Sequence, residues 1–187
     1  SSIMRARIVS RSETIAREFS AVTMEFQLAD IGSSIGALKT GQCDIAIVPR
    51  SEVVLELDSK LMKPERYIFA TCKSWARRPM EDIVRQERII DFDPADDMTF
   101  AFLEEHGLRA AARQGRHFAN NTDALASLVA NGVGYSVLSA TFVRNCELAD
   151  KISVHQPAKY YDFAVAACWY PRKHPHPAFR RLLKMIQ

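Results

Sequence analysis

Apolar and polar residues alternate from Arg5 to Ser10 (RARIVS) as they do in a half-buried strand, and RSETIAREFSAV continues as a helix whose start is marked by Ser12. TMEFQLAD alternates again, with Met24, Phe26 and Leu28 on one face, and SSIGALKTGQ predicts a short helix ended by Gly41. CDIAIVP is a nearly continuous apolar run, the pattern of a strand covered on both faces. Strand, helix, strand, helix, strand in succession predicts a parallel α/β sheet with right-handed crossovers.

Beyond Pro49, VVLEL and RYIFATC are further strand candidates, and SWARRPMEDIVRQ is a polar connection with a short helix starting near Pro79. A second set of units follows: RIIDF as a strand, MTFAFLEEHGL as a helix ended by Gly107, and RHFA as a strand. NNTDALASLVANGVGYSVLS then predicts a helix that opens on Asn120, Asn121 and Thr122 and is terminated at Gly132 and Gly134, before the strand GYSVLS. ATFVRNCEL is a short helix, ISVHQ and DFAVAACWY are strands, and HPAFRRLLKMI closes the chain as an amphipathic helix. Two similar α/β halves are implied, with the chain returning to the first at its end.

Composition narrows the class. With 187 residues, 48% of them hydrophobic and 25% charged, the chain can bury a proper core. Lysine and arginine number 25 against 22 acids, too even a balance to mark a nucleic-acid surface. No apolar run approaches the roughly 18 residues of a membrane span, and SSIMRARIVSRSE lacks the apolar core of a signal peptide, so a cytoplasmic protein is expected. Cys43, Cys72, Cys146 and Cys168 are scattered without a C-x-x-C pair, which favours buried thiols over metal or redox chemistry. No catalytic triad order, phosphate-binding loop or G-x-G-x-x-G is visible, and no cofactor or metal is expected.

Candidate chemistry concentrates at helix starts. One of Asn120, Asn121 and Thr122 suffices to cap its helix; the cap leaves the other two available. In α/β sheets ligands bind beyond the carboxyl ends of strands, where helix N-termini present free donors and partial positive charge. Ser10, Arg11 and Ser12, and likewise Ser33 and Ser34, are short polar groups at such junctions, and Arg50 follows a buried strand with a fork suited to a carboxylate. DFDPADDMTF carries four carboxylates; Asp93-Pro94 signals a turn and Asp96 or Asp97 complements a helix N-terminus, against a general acid-base or metal reading. His174 and His176, separated by a proline, read as a turn into the last helix.

In order and spacing, RARIVSRSETIA, ALKTGQCDIAIVP, EDIVRQERIIDF, NNTDALASLVANGVGYSVLS and CWYPRKHPHPAFRRLLKMI resemble the effector-binding domain of LysR-type transcriptional regulators, over nearly the whole chain. The resemblance implies a type 2 periplasmic-binding-protein-like α/β fold of two Rossmann-like lobes joined by crossing strands, with residues 1–73 and 155–187 in lobe I and 74–154 in lobe II. It implies a small polar or charged effector in the cleft between lobes, contacted by Ser10, Ser12, Ser33, Ser34, Arg50, Asn120, Asn121 and Thr122, with Asp97 and Thr99 placed to meet a cationic group. It further implies a homodimer, a tetramer for the full-length regulator, and promoter DNA contacted only through an N-terminal winged helix-turn-helix, which this sequence lacks. One departure is that the segment from RARIVS to TMEFQL is shorter than the family's usual strand-helix-strand unit by a good part of a helix. Two other readings of such a fold are an enzyme acting on a small acid through DFDPADD, and a solute-binding protein of an importer.

Overall fold

The computed structural model describes residue 8, residues 12–27 and residues 33–186. Ser10, and the predicted strand RARIVS apart from Ile8, lie outside the described residues. The chain divides into two compact units, one formed by residues up to Glu65 together with those from Phe163 onward, the other by Arg66–Asp162.

The first unit opens with α1 (Ser12–Glu18), α2 (Ser33–Lys39), β1 (Ala46–Pro49) and β2 (Asp58–Leu61). Two expected strands are absent from this stretch. Thr23–Gln27 carries no strand, and Phe26 stands 38% exposed, because no described strand pairs with its backbone and alternation by itself does not hold a strand. VVLEL is not a strand either: Arg50–Glu52 is a 3-10 turn, and Val53, Val54 and Leu57 pack on Leu38, Ala46 and Val48 as an apolar connection before β2.

The second unit contains β3 (Glu65–Cys72), α3 (Met80–Gln86), β4 (Ile89–Asp91), α4 (Met98–Glu105), β5 (Arg116–Phe118), α5 (Thr122–Ala130), β6 (Ser136–Ser139), α6 (Ala140–Asn145), β7 (Ile152–Val154) and β8 (Tyr160–Phe163). The chain then re-enters the first unit as β9 (Val165–Trp169) and α7 (Pro177–Met185). β3 and β8, paired with each other, are the strands on which the chain passes from one unit to the other. The passage falls one strand away from the expected limits of residues 73 and 155, because β3 is hydrogen-bonded to β6 and β7 and so belongs to the second unit's sheet.

In the first unit the sheet order is β1-β9-β2, and both pairings are antiparallel, with Val48 opposite Ala166 and Ser59 opposite Cys168. The expected parallel sheet is therefore not found among its described strands: β9 arrives from the far end of the chain and inserts between β1 and β2 in the opposite direction. Both faces are covered. Val165 and Ala167 join Ile15, Phe19 and Met62 on one side, while Ala166 and Cys168 join Leu38, Ala46 and Val48 on the other. That period of two explains why CDIAIVP and AVAACW read as unbroken apolar runs.

The second unit follows the parallel expectation where it matters. β4 and β5 pair in parallel, Ile90 opposite His117 and Asp91 opposite Phe118, and a parallel bridge joins Ile89 to Tyr135 immediately before β6. β6 continues into an antiparallel sheet with β3 and β7. Adjacent residues again face opposite layers: Phe69 and Ile89 pack with Met80, Ile83, Phe102 and Leu103, whereas Ile68 and Ile90 pack with Leu125, Val129, Leu138 and Phe142. No helix among the described residues is long and apolar enough to cross a membrane.

Candidate functional site

The parallel run β5, β4, β6 delivers three helix starts to one edge of the second unit. α5 follows β5, α4 follows β4 through the loop of residues 92–97, and α6 follows β6 directly. The first two junctions are tied together, since the Ala119 amide donates to the Asp91 carbonyl at 3.0 Å. This brings the DFDPADD loop beside Asn120, Asn121 and Thr122, residues that are more than twenty positions apart in sequence.

Asn121 is the cap of α5. Its Oδ1 accepts from the amides of Asp123 and Ala124 at 2.9 and 3.0 Å. The cap occupies only the acceptor half of the side-chain amide, so the Asn121 Nδ2 remains a donor for another partner. Asn120 is exposed and Thr122 half-buried, and neither enters the cap.

The acidic loop assigns its carboxylates differently from the simplest reading. Asp96 holds both the Phe92 and Met98 amides, at 3.1 and 3.0 Å, and Asp93 accepts from the Ala95 amide at 2.7 Å. Asp97 occupies the cap position of α4 without a side-chain cap bond, and its carboxylate is exposed. Thr99, expected at the ligand, is 1% exposed, and its hydroxyl donates to Asp91 Oδ1 at 2.6 Å, so it supports the loop from inside. At the second position of α4 the side chain turns toward β4 rather than outward.

Beneath the loop lies a buried ion pair that sequence reasoning missed. Arg116 donates to Asp91 Oδ2 at 2.9 Å and to the carbonyls of Asp96 and Pro94, each at 2.8 Å. Burial pushes the Asp91 carboxyl up to about 6, against the opposing hydrogen bonds from Thr99 and Arg116. The signal was available in principle: in parallel register Arg116 stands opposite Ile89, on the same face as Asp91 two residues on, within reach of a long side chain leaning along the strand. Reading it required the register. Tyr135 lies nearby, fully buried and stacked on Phe69 at 4.8 Å, and its hydroxyl has no hydrogen-bond partner among the described residues.

In the first unit Ser12 and Ser33 are the first residues of α1 and α2, half-buried and exposed respectively. Arg50 is exposed in the turn after β1, where its amide donates to the Ala164 carbonyl at 2.9 Å. Ser34 alone among the described candidates lines a cavity of about 610 Å³, whose walls include Phe19, Met24, Phe26, Ile47 and Phe179. Among the described residues, the polar candidates and this cavity therefore coincide at one residue. Among the described residues no group of three or more histidine, cysteine or acidic side chains is arranged to hold a metal ion. Cys72 and Cys168 are buried, Cys43 and Cys146 half-buried, and all four are free thiols.

Two α/β units, each a sheet covered on both faces, joined by a pair of strands, define the type 2 periplasmic-binding-protein-like class. A LysR substrate binding domain model matches residues 1–187, and the chain belongs to that family; it is the ligand-sensing regulatory domain of a LysR-type transcriptional regulator. Solved structures agree in fold. The reduced regulatory domain of OxyR2 from Vibrio vulnificus is 15% identical with a TM-score of 0.76, the match covering 99% of this chain and 90% of that one. The apo regulatory domain of HypT from Salmonella typhimurium is 14% identical with a TM-score of 0.73, covering 95% and 88%. HinK, a LysR family transcriptional regulator from Pseudomonas aeruginosa, is 16% identical with a TM-score of 0.74, covering 97% of this chain and 66% of that one. No curated protein matches the chain.

Proposed function

We propose that the chain senses a small charged metabolite, an amino acid or carboxylic acid, through polar groups at the strand ends of its units. The groups assigned to the ligand are Asp97, Asn120, Asn121 and Thr122 in the second unit and Ser12, Ser33, Ser34 and Arg50 in the first; Ser10 completes the set by its place in the sequence. The observation that carries the reading is the parallel pairing of β4 with β5, which gathers an exposed carboxylate, a spare amide donor and a half-buried hydroxyl at one edge. A donor amide beside two helix N-termini suits a carboxylate, and Asp97 suits an amine. The role is binding and not catalysis, since Asp91, Asp93 and Asp96 are already engaged within the loop.

In the cell the reading places the domain in the cytoplasm as part of a homodimer, with a tetramer in the full-length regulator and promoter DNA contacted by a winged helix-turn-helix. An effector shifts such a switch only by preferring one conformation of the regulator over another. Calorimetric titration of a panel of amino acids and carboxylic acids tests the assignment. Asn121→Asp keeps the capping acceptor, removes the donor and adds negative charge, and is expected to weaken the carboxylate ligand at least tenfold with the fold intact. Equal affinity in wild type and in both Asn121→Asp and Thr122→Ala refutes it.

A further inference from the structure

The loop that presents Asp97 is held by one side chain it does not contain. The Arg116 guanidinium reaches Asp91 at the loop's start, the Pro94 carbonyl at its middle and the Asp96 carbonyl at its end, all within 2.8–2.9 Å. It is 16% exposed, and its planar group lies 4.7 Å from the Phe100 ring and 5.1 Å from the Phe118 ring. A lysine offers no such fork, so three acceptors spread along the loop call for arginine specifically. The remaining loop bonds are local and use Asp93 and Asp96.

We propose that Arg116 is the positioning residue of this loop: closed on an ionised Asp91 it fixes the loop and so the direction in which Asp97 is presented, and protonation of Asp91 releases the loop's first anchor. The inference rests on the reading of Asp97 as a ligand contact, and adds to it a residue that sets the contact without touching the ligand, and a proton that controls it. The groups facing Asp91 are Thr99 from α4, Arg116 from β5, Asp96 from the loop and the Tyr135 hydroxyl from just before β6, with Arg109 beyond Tyr135. α5 packs on the Ile90 face of β4, and its one charged residue, Asp123, is exposed, as is His117 of β5. Arg116 favours the charged form of Asp91 and Asp96 disfavours it, while burial holds the carboxyl at about 6. The anchor is therefore in place at neutral pH and lost in mildly acidic solution.

Amide hydrogen exchange on the 187-residue chain, with no ligand added, tests this. In Arg116→Met the protection factors of the Phe92, Ala95, Asp96 and Met98 amides are expected to fall about tenfold while those of Ile68, Phe69 and Val137 in the sheet are kept. In wild type the loop's protection is expected to fall as pH drops through about 6. In Asp91→Asn it is expected to stay at the lower level without responding to pH. Unchanged loop protection in Arg116→Met overturns the proposal, as does a uniform fall across loop and sheet, or a wild-type pH profile as flat as that of Asp91→Asn. Because no ligand enters the measurement, a failed Asn121→Asp titration leaves this result standing, and the reverse also holds.

Discussion

Gly134→Ala is expected to be the most damaging single methyl in the second unit. A Cβ built on Gly134 lies 2.3 Å from the Arg88 carbonyl oxygen and 2.9 Å from Ile90 Cγ1. A carbon sits no closer than roughly 3.3 Å to a carbonyl oxygen, so the strand must move by about 1 Å. The obstacle is backbone and does not swing away. Two ladder bonds flank the contact, the Tyr135 amide to the Arg88 carbonyl at 3.0 Å and the Ile90 amide to the Tyr135 carbonyl at 2.8 Å. A shift of about 1 Å takes both beyond hydrogen-bonding range. Each of the two bonds lost costs about 1.5 kcal/mol, and crowding Ile90 adds about 1 kcal/mol, giving a loss of about 4 kcal/mol.

Urea unfolding measures it. Trp75 lies in the second unit and Trp169 in the first, so fluorescence in a Trp169→Phe background reports the second unit. Gly132→Ala is the control. Gly132 sits at φ +73°, where it ends α5, and its added Cβ lies 3.3 Å from Cys72 Sγ, a side chain that yields. The control is expected to lose about 1–2 kcal/mol, the strain of a left-handed residue. The reasoning fails if Gly134→Ala loses less than about 1 kcal/mol, or if Gly132→Ala loses more than Gly134→Ala.

Tyr135→Phe is expected to be neutral or to stabilise by about 1 kcal/mol, because it removes a buried hydroxyl that has no partner among the described residues and keeps the stack on Phe69; a loss above about 1 kcal/mol in the same urea assay contradicts the orphaned hydroxyl. His155 is 6% exposed, with Nε2 2.9 Å from the Thr71 hydroxyl, and burial, followed by the charge of Arg78, holds its pKa below the ordinary 6.5. The unfolded chain thus binds the extra proton first, so this contribution is present above pH 6.5 and is lost as pH falls through the folded value. Asp91 acts oppositely: with its pKa raised from 3.8 to about 6, its contribution is present below 3.8 and lost as pH rises through 6. Urea midpoints at several pH values should therefore show a weaker acid-side loss in His155→Gln than in wild type, and identical pH profiles would refute the assignment.

The features legible in the sequence are those determined within a few residues of chain. Asn121, Pro79 and His176-Pro177 open helices where the local pattern places them, and Gly107 at φ +69° closes one. Runs covered on both faces, such as CDIAIVP and RYIFATC, announce themselves because neighbouring residues enter different cores. What was not legible depends on partners far along the chain. The antiparallel insertion of β9 between β1 and β2 joins segments more than a hundred residues apart. The inward turn of Thr99 depends on how α4 rotates over β4. Gly134 reads as a second terminator in the pattern N-G-V-G, yet its role is to let β6 approach β4, which only the Ile89–Tyr135 bridge reveals.

The same geometry separates stability from recognition at the second unit's edge. Each of the three helix starts has its own capping acceptor: Asp96 for the first turn of α4, Asn121 for α5, and Ser139, 2% exposed, for α6, where it accepts from the Phe142 amide at 3.1 Å. Such caps are worth about 1 kcal/mol each, so replacing them weakens the fold and any ligand together. The Asp97 carboxylate, the Asn120 side chain, the Asn121 Nδ2 and the Thr122 hydroxyl lie outside the caps. Were the helix N-termini bare, their own amides would fix the ligand as a generic anion. With the caps in place, the proposed site leaves selectivity to these four side chains, while the capped starts keep the fold standing.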